Sequence, residues 1–276
     1  MESPQHITPR DLRFGVGEVE QRWWHSDSPE KTIFFDALSI MFPHGERFFM
    51  ESVRNYAHVV DTPDLRADVR GFLHQEAMHT REHIEYNDRL NRLGYPAARL
   101  ERAAKNRLDF ARRRLGPHRQ LAITCALEHF TAIIAYELLT NPAHLDGAEP
   151  RFKRIWQWHA LEESEHRAVA FDVFRHSIGA GFRAYLIRIR AMIVITILFN
   201  LFLWQHVVAL MRTDGIARSP AAWARLFSFL FGRPGILRRI GRPWAAYFRP
   251  RFHPQTHGEV AEAGEIEQKL LAGQAA

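Results

Sequence analysis

Two stretches of this sequence repeat one pattern, Glu-x-x-His. Glu76 and His79 stand in His74-Gln75-Glu76-Ala77-Met78-His79, and Glu163 and His166 stand in His159-Ala160-Leu161-Glu162-Glu163-Ser164-Glu165-His166. On a helix, positions i and i+3 share a face, so one carboxylate and one imidazole can meet a single metal ion. Each pair is preceded by another glutamate on an apolar background: Glu46 in Gly45-Glu46-Arg47-Phe48-Phe49, and Glu128 in Leu127-Glu128-His129-Phe130. Glu46 precedes Glu76 by 30 residues and Glu128 precedes Glu163 by 35, so the sequence holds two copies of a helix giving Glu and a next helix giving Glu-x-x-His. A glutamate inside Ile123-Thr124-Cys125-Ala126-Leu127-Glu128 is costly to bury unless something pairs with it.

Two such hairpins face to face supply four carboxylates and two imidazoles. That set is similar to the ligands of ferritin-like di-iron and di-manganese carboxylate bundles. Two divalent ions would neutralise the four carboxylates, which makes a buried site feasible. Oxygen and nitrogen donors favour iron, with manganese and zinc compatible. His83 lies one turn beyond His79 and His159 one turn before Glu163, so both look toward the same face. They are candidates for extra ligands or for hydrogen-bonding partners of the ligands. Glu162, four residues before His166, is placed to exchange roles with Glu163, whereas Glu82, Glu85 and Glu165 are expected to face solvent.

The elements that must position these residues are all helical. The segment from Lys31 to Val60 is apolar at helical spacing, with a break or kink expected at Phe42-Pro43-His44-Gly45. Thr62-Pro63-Asp64 opens a helix that should run to about Leu93. Further helices are expected over 97–115, 118–139 and, unbroken, 151–177. No alternating stretch suggests a sheet. The expected fold is therefore all-α, a ferritin-like helical bundle with a long additional apolar helix toward the C-terminus. The organisation expected is an irregular lead-in over 1–29, the metal-binding bundle over 30–182, an apolar helix with an aromatic and Arg-rich region over 183–254, and a mobile tail over 255–276.

Composition bounds the function. The chain has 276 residues, 46% hydrophobic and 25% charged, which fits a folded soluble domain and not a disordered chain. Its one cysteine, Cys125, excludes an internal disulfide and a cysteine-based cluster. No apolar signal run opens the sequence, and the expected location is cytoplasmic, with the inner face of the membrane as the other place it could work. The net charge of +6 would suit an anionic partner, but the basic run Arg99, Arg102, Lys105, Arg107 and Arg112 to Arg114 has only Phe110 among it, which argues against nucleic acid. The stretch 187–211 is apolar and just long enough to cross a bilayer, though Asn200, Gln205 and His206 speak for a buried core or dimer helix. Membrane contact and homo-oligomerisation both stay open on these grounds.

The segments Phe42-Pro43-His44-Gly45-Glu46, Gln75-Glu76-Ala77-Met78-His79 with His83, Leu127-Glu128-His129-Phe130-Thr131 and Trp158 to His166 together resemble a bacterial family described as predicted metal-dependent hydrolases. The resemblance spans most of residues 30–210 and implies an all-helical metalloprotein. The family's description implies hydrolysis by metal-bound water. The ligand set is instead similar to sites that activate dioxygen, and the apolar region would suit a lipid-like small molecule. The expectation is a dinuclear metalloenzyme performing oxidation, with hydrolysis as the alternative and metal storage as a third reading.

Overall fold

The computed structural model describes residues 7–256, 260 and 263–272, and among them there is no strand, only an isolated bridge between His25 and Ala148. Proline sets five of the helix starts. Helices α1 (Pro29–Arg54), α2 (Pro63–Arg92), α4 (Pro117–Thr140), α5 (Pro150–His166) and α8 (Pro220–Phe227) each begin with it. At that position the missing N–H costs nothing and the fixed φ is already helical. Ser28 and Glu149 cap α1 and α5 by accepting backbone N–H groups of the first turn. Gly94, at φ 86°, ends α2 in a left-handed turn in which Tyr95 N donates to Leu90 O.

Helices α1 and α2 pack together, as do α4 and α5, and α1 with α4 and α2 with α5 join the two pairs into the bundle. Helix α3 (Ala97–Arg114) carries the chain from the first pair to the second and lies against α1. After α5 come α6 (Val169–Ile178) and the long α7 (Phe182–Thr213), which packs along α1 and α4. The chain then folds back through α8, its π-helical extension at Ser228–Gly232, and two short helices, α9 (Ile236–Arg239) and α10 (Gly241–Ala246). The fold is thus the all-helical bundle with a long apolar helix that the sequence leads one to expect.

Four details differ from expectation. Helix α1 runs unbroken through Pro43. Proline cannot donate to the carbonyl four residues back, that of Ser39, and the Asn87 side chain supplies that bond instead, Nδ2 to O at 3.1 Å. The helix expected over 151–177 is interrupted at Arg167–Ala168, immediately after His166, with neither proline nor glycine to mark the break. Glu82 is fully buried, because the irregular lead-in crosses α2: Phe14 N donates to Glu82 and Gly17 N to Glu85, while Ile7, Leu12, Phe14 and Val16 pack into the core. Toward the C-terminus, α11 (Ala263–Ala272) packs on α5, burying Leu270 and pairing Glu267 with Arg10 at 2.7 Å.

Candidate metal centre

Each side of the bundle contributes one glutamate from its first helix and a Glu-x-x-His pair from its second. Helix α1 gives Glu46, α2 gives Glu76 and His79, α4 gives Glu128, and α5 gives Glu163 and His166. All six are at most 1% exposed. At the centre, Glu76, His79, Glu163 and His166 bring one donor atom each to within 4.8 Å of one another. His166 Nε2 lies 3.3 Å from Glu76 Oε1 and 4.0 Å from Glu163 Oε1. His79 Nδ1 is 3.8 Å from the same Glu163 oxygen. Glu163 therefore sits between the two imidazoles. Glu128 joins through His166 Nδ1 at 3.2 Å, and Glu46 is oriented by the Thr80 hydroxyl, which donates to its Oε2 at 2.9 Å.

The residues expected around this set divide into two groups. Glu162 does not stand in for Glu163. Its Oε2 lies 3.0 Å from His79 Nε2, on the side of the ring away from Glu163, while its Oε1 accepts from Trp158 Nε1 at 2.8 Å and from Arg10 at 3.4 Å. The contact with His79 is electrostatic, because neither atom makes a hydrogen bond, and it sets a carboxylate behind the ring. His83 and His159 form a relay on the other flank. His159 Nε2 is 3.0 Å from Glu163 Oε1, His159 Nδ1 is 2.8 Å from His83 Nε2, and His83 Nδ1 is 2.9 Å from Ser39 Oγ, which donates to Asn87. With Glu46, these two histidines also bring donor atoms within 4.8 Å of one another.

The electrostatics are those of an acidic cluster in a dry interior. Burial, reinforced by the neighbouring carboxylates, pushes Glu46 and Glu76 well above the ordinary carboxylate range. Burial also raises Glu128 to about 7 against the pull of His166, and Glu162 to about 8 against Arg10. Burial would raise Glu163 as well, but His166 and His159 outweigh it and hold that carboxyl below its usual value. His166 is driven to about 9, because Glu163 and Glu128 beside it overcome the penalty of burying a cation. These acids call for positive charge in their midst.

A metal fits the donor set by a further test. Buried polar atoms almost always have partners. Here Glu46 Oε1, both Glu76 oxygens, both His79 nitrogens, Glu128 Oε1, Glu163 Oε2 and His166 Nε2 are buried without a hydrogen bond. Every one of the six residues contributes at least one such atom, and all are donor types that iron, manganese or zinc accept.

A narrow cleft of about 20 Å³ reaches the site, with Glu163 and His159 at its end and Leu38, Phe42, Ile134, Trp156 and Phe199 among its walls. A larger cavity of about 250 Å³ lies elsewhere, at the start of α7, and none of the six residues lines it.

Several contributors had no sequence signal. Thr80 and Trp158 could have been suspected from their places beside His79 and His159. Arg10, reaching Glu162 from the lead-in, and Asn87, working through Pro43, depend on contacts made only in the folded chain.

The chain belongs to a family described as predicted metal-dependent hydrolase, whose model matches residues 8–258. No curated protein and no solved structure matches it.

Proposed function

We propose that this protein is a dinuclear metalloenzyme in which Glu46, Glu76, His79, Glu128, Glu163 and His166 hold two divalent transition-metal ions, iron foremost, for the oxidation of a hydrophobic small molecule. The observation that carries this is the set of buried, unpartnered donor atoms distributed over all six residues. Glu76 and Glu163, with donor atoms near both His79 and His166, would be the central donors. Glu128, beside His166, and Glu46, beside His83 and His159, would complete the donor set from the first helix of each pair. Iron in such a centre supplies reversible electron transfer to dioxygen.

The protein's own part is to position, shield and manage protons. Trp158 holds Glu162 behind His79, and Thr80 aims Glu46. His159, at the end of the cleft, bonds Glu163 on one side and His83 on the other, so a proton at its Nε2 can be taken up or delivered beside the reacting partner. The walls of Phe42, Trp156 and Phe199 exclude water and offer apolar contact. The apolar walls of the cleft favour dioxygen and an apolar substrate over a polar ester or amide.

Hydrolysis is the second reading, favoured by the family's description. In that case His159 would act as the base toward a water activated by the metal.

One experiment separates them. Purified protein is assayed for bound metal, then loaded with ferrous iron under anaerobic conditions and exposed to oxygen while its absorption is recorded. About two ions per chain and a new absorption band lost in His79→Ala and His166→Ala are expected. Full turnover of ester substrates with zinc alone would replace the oxidative reading. Less than one ion per chain, unchanged in Glu163→Ala, would reject the metal centre.

A further inference from the structure

The outer face of α7 has no partner among the described residues. Of the eleven large hydrophobic side chains left exposed among the described residues, six lie on this helix: Phe182, Ile193, Val194, Ile197, Leu198 and Leu201. Two more, Phe227 and Phe231, lie on α8 and its extension. Scattered exposed apolar residues are ordinary, but a contiguous stripe marks an interaction surface. Positions 193, 197, 201 and 204 repeat at helical spacing, so the stripe runs into Trp204. From there Trp204, Trp223, Phe227 and Phe231 form an aromatic ladder, with successive ring centroids 5.8–6.3 Å apart.

Charge says what covers this face. From Arg183 to Arg251 the chain holds twelve arginines and a single acidic residue, Asp214. Eleven of those arginines are exposed and only Arg188 is buried, while Asp214 is taken up by Arg22, Trp23 and Tyr95. An apolar stripe bracketed by Arg190 and Arg212, with Trp and Phe at one end and arginines around it, matches the layered chemistry of an anionic bilayer: hydrocarbon, interface, phosphate. The cavity at the start of α7 adds to this. Arg175, Arg188 and Arg251 line it, and no carboxylate does, which suits a lipid phosphate.

We infer that the protein docks on anionic membranes through the outer face of α7 and the aromatic ladder, lying on the leaflet without crossing it. Crossing is opposed by the packing. Ala191, Met192, Ile195, Leu203, Val207 and Leu210 are buried on the inner face of α7 against the bundle, so this face has protein and not lipid around it. The other helix long and apolar enough to span, α4, is a core element, with 83% of its most apolar window buried. Thr196, Asn200 and Gln205, the polar groups along the apolar stretch of α7, have partners within the protein. The Thr196 hydroxyl donates to Met192 O and accepts from Trp244 Nε1, Asn200 donates to Thr196 O, and Arg107 donates to Gln205. The helix can therefore sit in lipid without stranding hydrogen-bonding groups. Phe199, on its inner face, also walls the cleft to Glu163, so one helix touches both the proposed bilayer and the site. The docking stands whether or not the site holds metal.

The test is cosedimentation of the full chain with vesicles of phosphatidylcholine alone and of phosphatidylcholine mixed with phosphatidylglycerol. Binding to the mixed vesicles, weakened by salt, is expected, with little to the neutral ones. Ile197→Asp with Leu201→Asp should weaken it at least ~10-fold, and Arg190→Gln with Arg212→Gln several-fold, while circular dichroism and metal content stay as in the parent protein. Both pairs are exposed, so loss of fold is not the expected cause of lost binding. Equal binding to neutral vesicles, unchanged binding in the Asp pair, or no binding by a dimer that the Asp pair turns into a monomer would each overturn the inference.

Discussion

The two halves of the candidate centre have the same ligand types in the same order, yet their surroundings differ. Four residues before Glu163 stands His159, and four before Glu76 stands Phe72. Four residues after His79 stands His83, and four after His166 stands Ala170. The His159 and His83 rings continue the site into a hydrogen-bonded chain that ends at Ser39 and Asn87. At the other end Phe72 lies edge-on to His166, ring centroids 5.0 Å apart, and Cys125 donates to the Ala170 carbonyl. The repeat thus keeps the metal donors and varies the flanks. One flank is wired for protons and opens on the cleft, while the other is dry. The asymmetry teaches that chemistry should occur on the Glu46 and His159 side, with the Glu128 side holding its ion in place.

Breaking the shared core should have the largest effect. Glu76→Ala or Glu163→Ala is expected to abolish binding of both ions, because each of these carboxylates faces both halves. Glu46→Ala and Glu128→Ala should each leave about one ion per chain, measured by metal analysis after dialysis. Equal losses in all four variants would mean the halves do not act separately. The flanks come next. His159→Phe, which makes the two flanks alike, should keep the metal and cut turnover roughly 10²-fold or more, judged from kcat at saturating substrate. The reciprocal Phe72→His places a polar ring without a partner beside His166 and should cost roughly 1–3 kcal/mol in urea unfolding, with little gain in activity.

The grouping of the core residues was legible because their spacing repeats, and the bounds of α2, α3 and α4 were legible because proline and glycine mark them. The flanks were legible only as a direction along the helix. His83 and His159 could be placed toward the site, but their contact with each other depends on how α2 and α5 approach. Glu82 was misplaced because the segment that buries it, around Phe14, has no periodicity to announce where it lies. Pro43 shows the same limit in the backbone. A proline inside a helix is read as a break, and here Asn87, distant in sequence, supplies the bond that lets the helix continue. The interruption after His166 has no local signal of any kind.

A second buried carboxylate on α1 sharpens the contrast between acids that serve a metal and acids that do not. Asp36 is fully buried, accepts from Trp24 Nε1 and Tyr86 Oη through Oδ1, and leaves Oδ2 unpartnered. Burial outweighs both hydrogen bonds and raises its pKa from 3.8 to about 6. The folded state therefore holds the proton more tightly than the unfolded chain does. Its contribution to stability is complete below pH 3.8 and is lost as pH rises through about 6. Asp36→Asn keeps the acceptor and removes the charge, so it should stabilise the protein by roughly 1–3 kcal/mol at pH 8 and by nothing near pH 4. Glu→Gln at any of the four donor glutamates should instead lower stability in the presence of metal.

The smallest expected effect concerns the helix that carries Glu46. Gly45 lies inside α1, where glycine is entropically unfavourable relative to alanine by about 1 kcal/mol. A Cβ added there meets only the Phe49 ring edge at 3.9 Å, an ordinary contact. Gly45→Ala should therefore raise unfolding stability by about 0.5–1 kcal/mol and leave metal content unchanged. Gly71, on α2, provides the opposite case. Its added Cβ would fall 2.7 Å from Ile7 Cβ and Cγ2, so the lead-in would have to move away from the core. Gly71→Ala should then destabilise despite the same gain in helix propensity. If Gly45→Ala instead lowered metal content, the glycine would be serving the orientation of Glu46, and the Glu46 half would depend on its backbone in a way the Glu128 half, with Leu127 at the matching place, does not.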